Sequence, residues 1–421
     1  MIQTFSLLPG ITLRCFPDNR FKQSALSVQF VRPMCRQEAA ANALLPAVLL
    51  RGCRQYPDLR QITQRLDDLY GASVGALVRR VGDYQTTGLH CGFIEDRFAL
   101  AGDAILQPMM DFLRQLLLEP VLEDGAFCHS FVESEKKNLI ATIESRINDK
   151  RSYATGQLLK KMCVADSFGI PRLGEKEDVA AITAQSLYVH YQRVLRESPV
   201  ELFYVGSADP AQVAGLLKEL FSSIPRQVLP LPAQTPFRDG DGGSHTEIMD
   251  VAQGKLCMGF VTPVTLRDPD FAAMQVFNAL YGAGMTSKLF MQVREKLSLC
   301  YDIGSGYHSS KGIMLVSAGI DPQQEALVKE QVLTQLEACR QGEITDEELE
   351  AARQALCSQL QATHDSPGAI EGYYATAVLS GLPWTPQQYR EKVSAITRED
   401  VARVAGLIRL HTVYFLKGEQ K

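Results

Sequence analysis

The sequence predicts an α+β protein made of two homologous halves. Residues 25–33 resemble residues 255–263, and later in each half residues 177–183 resemble residues 391–397. The two matches occur in the same order, which is typical of an internal repeat. Each half begins with strand-like segments and continues with helical ones. This order favours a mostly antiparallel sheet covered by helices in each half.

A segment of unusual composition separates the two halves. Residues 225–247 contain four prolines and, in their second part, three glycines. Proline stiffens a chain and glycine loosens it, so this composition is typical of a linker between domains. The predicted domains are therefore residues 1–224 and residues 248–421, joined by the linker 225–247.

Within each half, the spacing of apolar residues predicts individual elements. One helix is expected to be kinked or split by Pro108. Another is expected to start at the capping box formed by Thr345 and Glu348, because a Thr followed three residues later by Glu satisfies two backbone N–H groups. The predicted strands include 87–93 and 313–319, and the predicted helices include 96–118, 133–161 and 346–363.

Composition excludes several classes of protein. Hydrophobic residues make up 46 % of the chain and the net charge is −5, which argues against a disordered chain and against a basic nucleic-acid-binding domain. The longest nearly apolar stretch, residues 39–50, is too short to span a membrane, and residues 1–22 lack a secretory signal pattern. We therefore expect a cytoplasmic protein with no nucleic-acid or membrane partner. Its ten cysteines, none in a Cys-x-x-Cys pair, are expected to be reduced.

The familiar catalytic motifs are missing from the sequence. No two of the seven histidines lie within one helical turn of each other, so neither His-Glu-x-x-His nor His-x-x-Glu-His occurs. There is also no Gly-x-Ser-x-Gly elbow and no phosphate-binding P-loop. The chain therefore has no recognisable metal site or nucleophile of its own.

The two-half pattern with a central linker resembles the insulinase/pitrilysin family of zinc peptidases, which includes the mitochondrial processing peptidases. In that family a helix of the first half carries His-x-x-Glu-His, and the matching positions here are Ala43, Pro46 and Ala47. Alanine cannot bind zinc, and proline cannot act as a general base. The third family ligand follows another Glu by seven residues, and the best match to that pair is Glu135 and Thr142. The resemblance thus implies that this chain holds no metal.

The second half keeps a family segment instead. Residues 282–290 (GAGMTSKLF) and 293–301 (VREKLSLCY) closely resemble the family sequences GGGMSSRLF and LREKxGLxY. In the family, the Arg and Tyr of this segment reach toward the zinc site, bind the peptide and stabilise the developing oxyanion. The resemblance assigns these roles to Arg294 and Tyr301 here, and a guanidinium and a phenol are suitable donors for such an oxyanion.

A lost zinc motif and a retained Arg/Tyr segment together imply a division of labour. Some family members are heterodimers in which one subunit carries zinc and the other does not. By this resemblance the chain is the non-catalytic subunit of a heterodimeric zinc endopeptidase. It would bind peptide and contribute Arg294 and Tyr301 to the zinc site of a sister subunit of similar length. With one pair of halves, it would form half of a clam-shell chamber.

Two other functions stay open at this point. The chain could be an inactive scaffold or a chaperone-like peptide-binding homodimer, because the family also includes subunits of respiratory complexes that serve as scaffolds. It could instead be an unrelated hydrolase that uses one of the ten cysteine thiols, although no local signature frames any of them.

Overall fold

The computed structural model describes residues 2–238 and 240–418, and the chain forms two compact units. Each unit includes one segment from the opposite half of the sequence, which the predicted boundaries at 224 and 248 do not provide for. The first unit consists of Met1–Glu144, Ile170–Ala233 and His364–Leu379, and the second of Ser145–Gly169, Gln234–Thr363 and Ser380–Lys421.

The described residues form strands and helices along the whole chain. The strands are β1 (Gln3–Leu8), β2 (Ile11–Pro17), β3 (Gln23–Pro33), β4 (Ser73–Val81), β5 (Tyr84–Ile94), β6 (Leu122–Glu123), β7 (Ala126–Phe127), β8 (Val200–Gly206), β9 (Gly243–Ile248), β10 (Gly254–Val261), β11 (Asp302–His308), β12 (Ile313–Ile320) and β13 (Arg409–Lys417). The helices are α1 (Arg36–Leu49), α2 (Leu59–Asp68), α3 (Leu106–Leu118), α4 (His129–Ser145), α5 (Lys150–Met162), α6 (Lys176–Ala180), α7 (Ala184–Glu197), α8 (Pro210–Ser222), α9 (Phe271–Tyr281), α10 (Glu325–Arg340), α11 (Asp346–Ala362), α12 (Pro367–Ser380), α13 (Pro386–Ser394) and α14 (Arg398–Gly406).

Five strands of the main sheet in each unit follow the same topology. The first has the order β1-β2-β8-β3-β5-β4 and the second has the order β11-β12-β10-β13-β9. Without its edge strand β1, the first sheet has the order β2-β8-β3-β5-β4. This order corresponds strand by strand to β9-β13-β10-β12-β11 in the second sheet. In both sheets one pair is parallel, β2 with β8 and β9 with β13, and the other pairs are antiparallel. The predicted α+β class with two related halves is confirmed.

The sheet of the first unit is covered on both faces. Side chains that alternate along a strand point to opposite faces, so Leu202 and Phe203 on β8 belong to different clusters. Leu202 packs in the large core that includes α1, α3, α7 and α8. Phe203 packs in a smaller cluster with Ile370 of α12. A helix from the C-terminal half of the sequence therefore completes the first unit.

A buried carboxylate fixes α12 on this sheet. Glu371 is 4 % exposed and accepts hydrogen bonds from Ser27 Oγ at 2.6 Å and Gln29 Nε2 at 2.9 Å, both on β3. Arg79 on β4 binds both carboxylate oxygens, with Nη1 at 2.8 Å and Nη2 at 2.7 Å. Bidentate pairs of this kind fix orientation as well as adding attraction. Because the donors come from two strands, they specify the position of α12 across the sheet.

The second unit is completed in the reciprocal way. Here α5, from the N-terminal half of the sequence, lies against the sheet, with Leu158 and Met162 in one apolar cluster with Cys257, Leu315 and Tyr414. Helices α9, α10, α11, α13 and α14 pack against one another elsewhere in the unit. The exchanged helices α5 and α12 occupy equivalent places in the two halves, since each follows the long helix α4 or α11.

The predicted linker is partly integrated into the second unit. Strand β9 begins at Gly243, inside the predicted linker 225–247, and pairs with β13. Just before it, the N–H of Phe237 donates to the carbonyl of Lys311 at 2.9 Å. The Lys311 ammonium in turn lies 2.9 Å from Asp166 and 3.0 Å from the carbonyl of Thr235. These contacts hold the second part of the linker on the unit that it enters.

Two helix predictions need correction and one is confirmed. Regular helix begins at Leu106 rather than at 96, so Pro108 lies in the first turn, where proline is tolerated and causes no kink. The stretch 133–161 is two helices rather than one, because Asp149 caps α5 after α4 has ended. The capping box of α11 is present as predicted, with reciprocal hydrogen bonds between Thr345 and Glu348. In the part of the chain that the structure describes, we find no helix with the length and apolarity of a membrane span.

Candidate functional site

The positions that match the family's zinc motif lie together on α1 in the first unit. Ala43 and Pro46 are buried, and Ala47 is partly buried. None of the three side chains offers a metal ligand. Across the described residues, no cluster of three or more His, Cys, Asp or Glu side chains is placed to hold a metal ion. The residues present therefore do not fit a zinc ion.

Pro46 changes the backbone hydrogen bonding of α1. A proline has no N–H, so the carbonyl four residues earlier, that of Asn42, loses its helical donor. Thr87 on β5 supplies a replacement, since its Oγ1 donates to the Asn42 carbonyl at 2.7 Å. Thr87 is 1 % exposed, so no solvent competes for this bond. Pro46, which the resemblance places at the position of the catalytic glutamate, is thus accommodated by a side chain from the sheet.

This accommodation predicts opposite effects at two neighbouring threonines. Replacing Thr87 with valine leaves the Asn42 carbonyl buried without a donor and is expected to cost about 1–3 kcal/mol of unfolding free energy. Thr86 is the matched control, because it is fully buried and its Oγ1 has no hydrogen-bond partner. Thr86→Val is therefore expected to be neutral or stabilising. Urea denaturation followed by circular dichroism measures both, and equal losses would contradict the role of Thr87.

The two positions that the resemblance matches to the family's third-ligand pair, Glu135 and Thr142, lie on α4. The hydroxyl of Thr142 donates to the carbonyl of Asn138 in its own helix at 2.8 Å. Glu135 pairs instead with Arg51, one helical turn beyond Ala47, at 3.3 Å. The cation beside Glu135 in this chain is therefore the guanidinium of Arg51 and not a metal ion. Sequence reasoning missed Arg51, although its position four residues after Ala47 places it next to the altered motif.

The retained segment of the second half forms a distinctive local structure. Residues Leu289–Lys296 are a π-helix, and Leu297 N–H donates to the carbonyl of Gln292, five residues earlier, at 3.1 Å. Short π-helical stretches are rare and occur frequently at functional sites. The guanidinium of Arg294 donates through Nε to the carbonyl of Tyr301 at 2.8 Å and lies over the ring of Phe290, 4.6 Å from its centroid. The structure thus brings Arg294 and Tyr301 together.

Both predicted site residues are accessible. Tyr301 is 68 % exposed, and its hydroxyl has no hydrogen-bond partner among the described residues. Arg294 uses Nε for the Tyr301 carbonyl and Nη1 for Glu295, and its side chain is 38 % exposed. Exposed apolar side chains accompany them along the same segment, with Met285 at 76 % and Leu297 at 43 %. A large exposed Tyr beside exposed Met and Leu is typical of a contact surface.

Ser298, between Arg294 and Tyr301, has a strained backbone. Its φ of +52° lies in the left-handed region, where the resembling family sequence has glycine. Ser298→Gly is therefore expected to raise the unfolding free energy by about 1 kcal/mol. Ser309→Gly is the control, because Ser309 is not among the described residues with positive φ, and the substitution is expected to destabilise slightly. Equal shifts in urea denaturation would show that Ser298 is not strained.

Five of the ten cysteines are buried thiols that are poor nucleophiles. Burial raises the pKa of Cys15, Cys91 and Cys339 to about 12, and that of Cys257 and Cys300 to about 11. The reactive species of a cysteine is the thiolate, which these values make scarce at neutral pH. These five buried thiols therefore act as apolar core groups.

The fold and the altered motif define a metallopeptidase-like protein without a set of metal ligands, and comparison with known proteins agrees. A profile for the peptidase M16 inactive domain matches residues 181–356. The chain is 28 % identical over 411 residues to the probable inactive metalloprotease YmfF of Bacillus subtilis, covering 98 % of this chain and 96 % of that protein. It is 21 % identical over 409 residues to AlbE, a protein of subtilosin biosynthesis in Bacillus subtilis, covering 95 % and 98 % of the two chains.

Two solved structures have the same fold as this chain. A conserved protein from Enterococcus faecalis has a TM-score of 0.92 and 29 % identity, over 100 % of this chain and 99 % of that one. The peptidase M16 inactive domain from Pseudomonas fluorescens shares the fold, with a TM-score of 0.82 and 17 % identity, over 100 % of this chain and 98 % of that one. The chain is thus similar in sequence and in fold to inactive proteins of the peptidase M16 (insulinase/pitrilysin) family.

Proposed function

We propose that this chain is the non-catalytic subunit of a heterodimeric zinc endopeptidase. In this assembly it binds the peptide substrate, and its Arg294 and Tyr301 face the zinc site of a sister subunit. The zinc and the general base belong to the sister, because Ala43, Pro46 and Ala47 supply neither.

The observation that carries the proposal is the contrast between the two motifs. The zinc-motif positions are filled by side chains without ligand atoms, and Pro46 is built into the fold through Thr87. The Arg/Tyr segment keeps its chemistry, since Arg294 and Tyr301 are held together and remain exposed. A chain that had lost every role in peptide chemistry would have no use for an exposed phenol with a guanidinium bonded to the backbone of the same residue.

The two groups are suited to stabilise a peptide during hydrolysis. The Tyr301 hydroxyl is a free donor, and Arg294 has one nitrogen, Nη2, without a hydrogen bond among the described residues. Donors directed at a developing oxyanion commonly make a large contribution to hydrolysis. Arg294 also supports the neighbouring backbone, because its Nε bond to the Tyr301 carbonyl fixes the start of β11.

The relatives are compatible with a partnered role. One named relative takes part in the biosynthesis of a bacteriocin, and another, from Bacillus subtilis, is an uncharacterised zinc protease, YmxG, which is 25 % identical over 301 residues. If an inactive subunit and a zinc-bearing subunit of one assembly are related, this chain should have similar relatives of both kinds, and it does. A homodimeric scaffold or chaperone-like peptide binder is the competing function.

Copurification from the source cell tests the proposal against this competitor. A tagged chain at its native level is expected to retain a protein of similar length that contains His-x-x-Glu-His, in equal amount and with bound zinc. Recovery of a homodimer alone, without a zinc-bearing sister, would favour the scaffold function and contradict the proposal.

A further inference from the structure

The outer edge of β9 in the second unit has no strand beside it within the described residues. The first sheet has six strands and the second has five, and the additional strand is β1, which pairs antiparallel with β2. Strand β9 occupies the place of β2 in the second sheet. The fold therefore accepts an antiparallel strand at this edge, and in the described part of the second unit that place is open.

Alternate residues of β9 direct their backbone groups to this open edge. The N–H of Met249 donates to the carbonyl of Lys417 at 2.9 Å, and Lys417 is the bridge partner of Ile248. In a parallel pair, the residues on either side of such a bridged residue bond to the neighbouring strand, and the bridged residue itself points away. The N–H and C=O groups of Ile248, Thr246 and Ser244 thus face outward, without a strand partner in the described chain.

Strand β9 lacks the features that often protect a free edge. Residues 243–248 contain no lysine and no proline, and their pairing with β13 has no register shift. By contrast, the edge strand β1 has a register shift between Ser6 and Leu8 in its pairing with β2. Thr246 and Ile248 are exposed, with Ile248 at 60 %. An exposed and regular edge of this kind is a template for another strand.

The sequence of β9 is complementary to itself in one antiparallel register. With Thr246 opposite Thr246 of a second copy, the outward backbone groups of the two strands meet as hydrogen-bonded pairs. The intervening pairs place His245 opposite Glu247 on both sides of the two-fold axis, where side chains approach most closely. A threonine pair and a pair of histidine with a carboxylate are both favourable across strands. With the axis at Glu247, two carboxylates would oppose each other, and with the axis at His245 the pairs with Glu247 would be lost.

Glu247 can accept a donor in this register. Its two oxygens accept from the hydroxyls of Tyr153, at 2.8 Å, and of Tyr414. An ionised carboxylate has about four lone-pair sites, so each oxygen can accept a further hydrogen bond. The two tyrosines hold the carboxylate on the face of the sheet that His245 shares, because alternate residues of a strand lie on one face. A histidine ring carries at least one N–H and supplies the donor.

We propose that two copies of this chain associate through antiparallel pairing of β9, which joins their second sheets edge to edge. The occupant of the edge is a second copy, because this register pairs the outward backbone groups of residues 244–248 and matches His245 with Glu247 twice. The contact does not depend on the proposed function. It uses no residue of the Arg/Tyr segment, so two heterodimers can associate through it.

Sedimentation velocity of the full chain tests this contact at protein concentrations of about 1–300 µM, a range that suits a small interface. We expect reversible dimerisation of the wild type. Thr246→Lys is expected to weaken dimerisation about tenfold or more, because the two like charges meet at the axis. Thr334→Lys, at an exposed position on α10 of the same unit, is the matched control and should leave the affinity unchanged.

Hydrogen exchange locates the contact. The amides of Thr246 and Ile248 face the second strand, so exchange in a peptide that spans residues 243–249 is expected to slow at high concentration in the wild type and not in Thr246→Lys. A chain that stays monomeric throughout the range, or a Thr246→Lys variant that dimerises as tightly as the wild type, would overturn the proposal. Loss of binding to a sister subunit in Thr246→Lys, without any dimer of the chain itself, would assign the edge to the sister and also overturn it.

Discussion

Replacing Lys311 with methionine is expected to lower the unfolding free energy of the second unit by about 3–5 kcal/mol. Lys311 and Asp166 are 1 % and 2 % exposed, with the ammonium nitrogen 2.9 Å from a carboxylate oxygen. Methionine keeps much of the apolar volume but leaves the Asp166 charge buried without its counterion. The substitution also removes the hydrogen bond to the Thr235 carbonyl, so the linker is expected to loosen as well.

The chain provides its own reporter for this measurement. Trp384 is the single tryptophan, and it lies in the second unit, so its fluorescence in urea follows that unit. The matched control is Arg398→Met in the same unit, whose pair with Asp346 is exposed at 41 % and 90 % and should contribute less than about 1 kcal/mol. The double variant Lys311→Met, Asp166→Asn is expected to recover part of the loss. A loss at Lys311 no larger than at Arg398 would contradict the role of the buried pair.

The combined change Arg294→Ala and Tyr301→Phe is expected to lower kcat of the reconstituted heterodimer by about 10²–10³-fold. The reason is that both groups are proposed to donate to the oxyanion, which is fully charged only near the transition state. An interaction made only there lowers kcat and kcat/KM together and leaves KM almost unchanged. Initial rates over a range of peptide concentrations measure both parameters.

Two controls separate this effect from a loss of folding. Arg398→Ala, at a partly exposed position at the start of α14 in the same unit, removes a guanidinium paired with Asp346 and is expected to leave kcat unchanged. Tyr301→Phe alone keeps the ring and the backbone carbonyl that accepts from Arg294, so its loss reports the hydroxyl alone. Full activity of the Arg294→Ala, Tyr301→Phe heterodimer would exclude the donor role of both residues.

The repeated architecture could be predicted from the sequence because its strands carry recognisable apolar patterns. The similar segments 25–33 and 255–263 are the equivalent strands β3 and β10 in the two sheets. The exchange of α5 and α12 could not be predicted in this way. Helical spacing continues through the break at Asp149, and the destination of a helix depends on contacts with strands far away in the sequence.

The features of the candidate site also fall into those that a local sequence pattern predicts and those that depend on long-range contacts. The loss of ligands at Ala43 and Ala47 is visible in the sequence, since it depends only on which side chain stands at each position. The hydrogen bond from Thr87 to Asn42 and the pair of Arg51 with Glu135 join residues 45 and 84 positions apart, so they follow from the fold rather than from local pattern. The hydrogen bond between His190 and Asn42, 148 positions apart, also follows from the fold.

Peptide hydrolysis by the purified chain, by its zinc-bearing sister and by their equimolar mixture tests the proposed division of labour most directly. Zinc content is measured on the same samples. We predict that this chain alone binds no stoichiometric zinc and cleaves nothing, and that the mixture cleaves peptide in a reaction that a chelator abolishes. Cleavage by this chain alone, or equal activity of the sister with and without it, would contradict the role of a non-catalytic subunit.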